Sequence, residues 1–228
     1  CFPDTYEIGM SNLGLQILYG VLNSIVFVRC ERVFAPWGDM EAELRRNSIP
    51  LFALENGGAV RDFDIIAFTL GYEMSYTNVL NMLDLAGLPV RAKDRSDDMP
   101  PVIAGGCCAY NAEPLAAFID LFNIGEGEET LPELMNLWRE VKASGKGKHQ
   151  FLERAAREIA GVYVPSLYNI RYNSDGTIYS ITPTHGAPST IRKRIVQNLN
   201  TDYYNTFPIV PNTEIVHDRV TLELFRGC

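Results

Sequence analysis

Histidine and cysteine are both scarce in this 228-residue chain, with three of the first and five of the second. His149, His185 and His217 fall on separate segments, so no Ser/His/Asp or Cys/His arrangement follows from their spacing. Cys1, Cys30, Cys107, Cys108 and Cys228 are too few and too scattered for a disulfide framework, and are read as reduced thiols in a cytoplasm. No apolar run approaches about 18 residues, so no membrane span is expected. Pro3, Asp4 and Glu7 interrupt the first residues, which do not read as a signal peptide. Positive charge is also in deficit. The net charge is −8, which argues against a general affinity for nucleic-acid backbones. The basic stretches "KASGKGK" (142–148) and "RKR" (192–194) are short and read as solvated surface. No internal repeat is visible.

What is present is an alternation of apolar strand runs with amphipathic helices. "NLGLQILYGVLN" (12–23) places Leu13, Ile17, Leu18, Val21 and Leu22 on one helical stripe. "SIVFVRCERVF" (24–34) reads as a β-branched strand, and "APWGDMEAELRRN" as a helix with Asp39 at its N-cap. "DFDIIAFTLG" (62–71) and "PVIAGG" (101–106) are continuous apolar runs, as strands covered on both faces require. Between them, "SYTNVLNMLDLAG" (75–87) predicts a helix closed by Gly87. Residues 114–141 predict a short helix, a brief strand at 121–124 and a longer helix. Repeated strand-then-helix order implies parallel pairing, hence an α/β fold with a doubly wound parallel sheet. "VYVPSLYNIRYNSDGTIYSI" (162–181) adds a β-hairpin turning at Asp175-Gly176. Beyond it, prolines punctuate an extended linker in which "RKRIVQNL" predicts a short turn and Thr221 to Phe225 a strand.

In open parallel sheets, ligands sit at the carboxyl ends of the strands. Three stretches end a strand in residues suited to that place: "FPDTYEIG" (2–9), "FTLGYE" (68–73) and "AGGCCAYN" (104–111). Glycine after a buried strand admits a ligand to the backbone, although Gly105 and Gly106 equally suit a tight turn. Adjacent Cys107 and Cys108 lack the gap of a chelating motif and read as small, partly buried residues. The carboxylates of "GEGEE" (125–129) suit the start of a helix, where the macrodipole favours negative charge. Composition and periodicity deliver no catalytic machinery.

Taken together, "FPDTYEIGMSNLGLQILYGVLN", "ERVFAPWGDMEAELRRNSIPLFALE", "DFDIIAFTLGYEMSYTNVLNMLDLAG", "VIAGGCCAYNAEPLAAFIDLFNIGEGEE" and "IVHDRVTLELFRGC" resemble radical S-adenosylmethionine (SAM) proteins with a B12-binding-like domain ahead of the radical SAM barrel. The resemblance implies a flavodoxin-like, B12-binding-like domain over 1–145, a helix and hairpin appendage over 146–190, and a linker with the first barrel strand over 191–228. In that family the first barrel strand leads to cysteines spaced C-x3-C-x2-C, which ligate a 4Fe–4S cluster that in turn binds SAM. "LELFRGC" looks like that strand, so Cys228 is expected as one metal ligand. One thiolate does not hold a cluster, so this chain alone is expected to be inactive, with the rest of the barrel as its partner in the same polypeptide. The front is likewise expected to be clipped, because Cys1 and Phe2 alone stand for the first strand. Such a sheet needs an upstream segment or compensation by another strand or chain.

Many B12 domains carry D-x-H-x-x-G after the first strand. Asp4, Tyr6 and Gly9 match that spacing with tyrosine in place of the histidine that would ligate cobalt. A phenol with a pKa of about 10 is a poor cobalt ligand at neutral pH. The resemblance further implies that Thr69 and Leu70, without the usual spacer, and Gly105 and Gly106 line the slot for the cobalamin tail. Two readings stay open. In one, the domain holds cobalamin for a radical-based methyl transfer to an unknown substrate. In the other, the B12-type fold binds no corrin and docks a substrate or partner, a reading favoured by the degenerate first motif and by the bulky Tyr72, Tyr76 and Tyr110 near the slot.

Overall fold

The structure, a computed structural model, describes residues 1–198, 203, 208–217, 219, 221, 223, 224 and 226. Its centre is a sheet of four strands in the order β1 (Ile66–Thr69), β2 (Val102–Gly105), β3 (Leu121–Asn123) and β4 (Val162–Tyr163). The first three run parallel and β4 runs antiparallel to β3. Register aligns Phe68, Ala104, Phe122 and Tyr163 across all four strands. Alanine between two phenylalanines leaves room for both rings on one face, and Phe122 stacks on Tyr163 with ring centroids 6.2 Å apart.

Period-two alternation divides these apolar strands between two cores. Ile66, Phe68, Val102, Ala104 and Phe122 face one side, where Leu44 of α3 (Gly38–Arg46) and Val79, Met82 and Leu83 of α4 (Tyr76–Leu85) cover them. Ile103, Leu121 and Val162 face the other. There they meet Leu22 of α2 (Leu13–Asn23), Leu134 of α5 (Gly127–Ala143) and Phe151 of α6 (Lys148–Glu158), after the short α1 (Tyr6–Gly9) has opened the chain. Helices on both faces of a mostly parallel sheet make this a doubly wound α/β fold. Each fully buried Leu or Phe contributes about 1.5–3 kcal/mol, so both layers are needed. Gly87, at φ 72°, ends α4 in the left-handed conformation that glycine adopts at no steric cost.

The C-terminal hairpin forms where expected, from β5 (Tyr168–Tyr172) and β6 (Ile178–Pro183). Gly176 takes φ 84° in the turn and Asp175 Oδ1 accepts from the Thr177 N–H at 3.0 Å. No helix among the described residues is long and apolar enough to cross a membrane.

Several sequence expectations are corrected. Residues 24–34 do not form a strand; only Phe34 makes a bridge, to Phe2. The Asn23 side chain takes both backbone groups of Cys30, at 3.0 and 3.1 Å, and Glu55 takes the Arg32 N–H at 2.7 Å. Side chains thus satisfy the backbone that a ladder would have paired, and Val26 stands fully exposed. Trp37, not Asp39, occupies the N-cap position of α3, and Asp39 instead accepts from the Met40 N–H at 2.7 Å. "RKRIVQNL" forms no turn over its described residues. Arg194 is extended and bridges Gly125 in parallel. The strand expected over 221–225 includes Leu222 and Phe225, which lie outside the described residues, as does Cys228.

Candidate functional site

The loops after β1, β2 and β3 meet in a cleft of about 530 Å³ at the carboxyl edge of the sheet, walled on one side by Asn12–Gly14, Ile17 and Leu18. Thr69, Leu70, Gly105 and Gly106 all line it. Leu70 is buried, donates its N–H to Gly105 O at 2.7 Å and accepts at its own oxygen from the Cys108 N–H at 3.2 Å. Gly106 has φ 105°, and a Cβ there would lie 2.6 Å from Leu70 O. Glycine is therefore required at 106 by the close approach of two backbones. Gly105 faces Asn123, which is buried, donates Nδ2–H to Gly125 O at 3.3 Å, and leaves Oδ1 without a partner.

Asp4, Tyr6 and Gly9 are gathered elsewhere, at and beside α1. The Asp4 carboxylate accepts from the Thr5 N–H at 2.8 Å and from the Tyr72 hydroxyl, and that bond raises the Tyr72 pKa above the ordinary phenol value. The Tyr6 ring meets Phe34 edge-on at 5.3 Å, and its hydroxyl oxygen accepts from the Asn212 N–H at 2.9 Å. Gly9 abuts the Phe34 ring, leaving no space for a Cβ. Tyr76 donates to Cys108 O at 3.4 Å, whereas Tyr110 is exposed. Cys107 is exposed and directs its thiol to Gly71 O at 2.9 Å, while burial pushes the Cys108 thiol up to about 11.

Sequence reasoning assigned the 125–129 carboxylates to helix capping and missed their partners. Glu126 stands at the N-cap of α5 but makes no side-chain cap bond. Arg226 enters the cleft instead, 3.5 Å from Glu126, 2.7 Å from Glu223 and in contact with Glu128, which is only 5% exposed. The Glu223 hydrogen bonds, backed by Glu128, raise the Arg226 pKa despite partial burial. Arg194 reaches Glu129 and Glu133, each at 2.7 Å. The mixture of "RKR" downstream and "GEGEE" upstream carried a charge-complementarity signal, but nothing in the sequence fixed which arginine meets which carboxylate. Val216 and His217 lie against α1 and the turn after it: the His217 N–H donates to Ser11 Oγ at 3.0 Å and the Val216 N–H to Glu7 O at 3.4 Å.

No histidine lines the cleft, and among the described residues no group of three or more His, Cys, Asp or Glu is placed to hold a metal. Where a B12 domain presents an imidazole to cobalt, this chain offers the Tyr6 phenol, already engaged by Asn212 and Phe34. These residues do not fit a histidine-ligated cobalt. The cleft's chemistry is that of one buried and two half-buried carboxylates beside loop backbone, suited to holding a guanidinium and the chain that carries it.

No solved structure matches the chain. It is 27% identical over 149 residues to uncharacterized protein MJ0966 of Methanocaldococcus jannaschii, a match covering 63% of this chain and 27% of that protein. The chain thus spans well under two thirds of the length of this curated relative. The profile of the family described as radical SAM proteins, N-terminal, matches residues 14–165, from α2 through β4. Matched over more than half its length, and across the sheet and the helices that build the cleft, this chain belongs to the radical SAM proteins as an N-terminal domain of that family.

Proposed function

We propose that this chain is the non-catalytic N-terminal module of a radical SAM enzyme, and that its carboxyl-edge cleft seats the polypeptide leading to Cys228. The observation that carries this reading is the ion cluster of Arg226 with Glu126, Glu128 and Glu223 inside the cleft. Contacts of Asn212, Val216 and His217 with α1 extend the same seat over the preceding residues. Family membership implies SAM and an iron–sulfur cluster for the whole enzyme, and in this reading Cys228 is one thiolate ligand. In this role the module contributes no group to the chemistry. It fixes the direction in which the chain leaves the sheet, and so where the first cluster ligand stands. A charge-assisted contact with a partly buried carboxylate gives that seat geometric specificity.

Hydrogen exchange of residues 208–226 in the wild-type chain and in Arg226→Ala tests this. Protection over 212–226 is expected in the wild type and is lost in the variant, while the sheet amides are unchanged. Equal exchange in the two proteins overturns the reading. The cobalamin reading has its own assay, incubation with hydroxocobalamin followed by desalting. A retained, shifted corrin spectrum would show that the module binds cobalamin and displace the docking reading.

A further inference from the structure

Glycine-bearing loops at the carboxyl edge of a parallel sheet, next to the first turn of a helix, ordinarily suit a phosphate. In this cleft the side chains reverse that preference. Glu126 holds the N-cap position of α5, and Glu128 and Glu129 fill its first turn. Glu126, Glu128 and Glu223 line the cleft, and among the described lining residues Arg226 is the one cation. Three carboxylates therefore meet one guanidinium, at 3.5 Å for Glu126, at 2.7 Å for Glu223 and in direct contact for Glu128. Arg194 is no counterweight, because Glu129 and Glu133 each take it at 2.7 Å.

The uncharged lining points the same way. Asn123 is 5% exposed and spends its Nδ2–H on Gly125 O at 3.3 Å, which leaves Oδ1 buried without a donor. A buried acceptor beside carboxylates calls for N–H groups from whatever lies against it. The loops after β1 and β2 are also laced to one another. Leu70 donates to Gly105 O at 2.7 Å, the Cys108 N–H to Leu70 O at 3.2 Å, and the Cys107 thiol to Gly71 O at 2.9 Å. A ring wedged between these loops would break those bonds.

The tail of cobalamin, the cofactor that a B12-type fold implies, has the opposite chemistry. Its phosphodiester is anionic at neutral pH, and its base offers a ring nitrogen as acceptor with no N–H to donate. The first would meet carboxylates in excess and the second an orphan acceptor, and both count against binding. We propose that Glu126, Glu128 and Asn123 make the cleft selective for a guanidinium and closed to phosphate-bearing ligands, so that this module holds cobalamin neither by its cobalt nor by its tail. Selection for the guanidinium rests on the proposed seating of Arg226, whereas exclusion of phosphate rests on the carboxylates alone.

Amide NMR shifts of Gly105, Gly106, Gly127 and Glu128 read the cleft directly. At constant ionic strength, methylguanidinium is expected to shift them saturably in Arg226→Ala, and at least about tenfold more weakly in the wild type, where Arg226 competes. Methylammonium has the charge without the planar fork, and is expected to bind that variant at least about tenfold more weakly than methylguanidinium. Glu126→Gln with Glu128→Gln, added to Arg226→Ala, keeps the side-chain shapes and is expected to remove the response. Inorganic phosphate and hydroxocobalamin are expected to leave these amides unmoved in both the wild type and Arg226→Ala. A saturable shift with either of them overturns the proposal. So does equal binding of the two cations, binding of neither, or a methylguanidinium response that survives both Glu→Gln exchanges. Failure of the seat gives a different pattern. Exchange over 212–226 would then be equal in wild type and Arg226→Ala, and the wild type would take methylguanidinium as strongly as the variant while still refusing phosphate. That result would sink the seating and leave the selectivity standing.

Discussion

The two ends of the parallel sheet hold their charges in opposite ways. At the amino end, Arg95, Asp120 and Lys148 are almost wholly buried, at 3%, 6% and 2% exposure. Asp120 Oδ2 accepts from Arg95 at 3.1 Å and from the Val102 N–H at 2.8 Å, while Lys148 donates to Arg95 O at 3.2 Å and lies 3.9 Å from Asp120. Burial lowers the Lys148 pKa, and Asp120 opposes that shift. All three residues lie within the family-matched region, and they tie α6 and the loop before β2 to the strand starts. At the carboxyl end, the partly exposed Arg226 comes from far along the chain and meets carboxylates at a cleft that water reaches. The first cluster is internal scaffolding. The second is a joint, because a charge that regains water on opening loses far less than one left bare in a core.

The contrast is open to attack, most forcefully at Asp120. Asp120→Asn leaves two buried cations without their anion and is expected to cost about 3–5 kcal/mol, read from the urea midpoint. Next comes Gly106→Ala, which forces a Cβ against Leu70 O at a positive φ; a loss of about 1–3 kcal/mol is expected in the same assay. Arg226→Ala should change global stability by only about 1 kcal/mol, since its carboxylate partners can rehydrate, while proteolysis of the C-terminal segment accelerates. If Arg226→Ala proved as damaging as Asp120→Asn, the division into scaffold and joint would be wrong.

The smallest effect is pH-dependent. The His149 N–H, bonded at 2.7 Å, lowers the Asp97 pKa, with its imidazole adding to the shift. A depressed carboxyl contributes stability that is present above its unfolded pKa of about 3.9 and disappears as pH falls through the lower folded value. Asp97 is half exposed, so after solvent screening the contribution is under about 1 kcal/mol. Asp97→Asn should flatten the acid limb of the stability curve by that amount. A steeper limb would show that other groups govern it.

Much of this architecture was legible because it rests on periodicity. β1 and β2 lie in continuous apolar runs, and the helices beside them carry one apolar stripe each, so local pattern and tertiary burial agree. Residues 24–34 misled because β-branched composition says what a segment tolerates, not who pairs with it. Asn23 and Glu55, outside any strand pattern, took the backbone groups first. At the cleft, Thr69, Leu70, Gly105 and Gly106 were found because strand ends follow from strands. The Arg226 cluster was not, since a pairing across about a hundred residues of chain leaves no trace in local spacing.

β4 has one more consequence. It is two residues long, and Pro165 follows almost at once, opening a turn. So brief a margin, followed by a residue with no amide hydrogen, gives a colliding molecule little backbone to template on. Self-association under stress should therefore begin away from that flank. The hairpin, which exposes Ile178, Tyr179 and Ile181 to solvent, is the first place to look for sticky encounters during storage or heating.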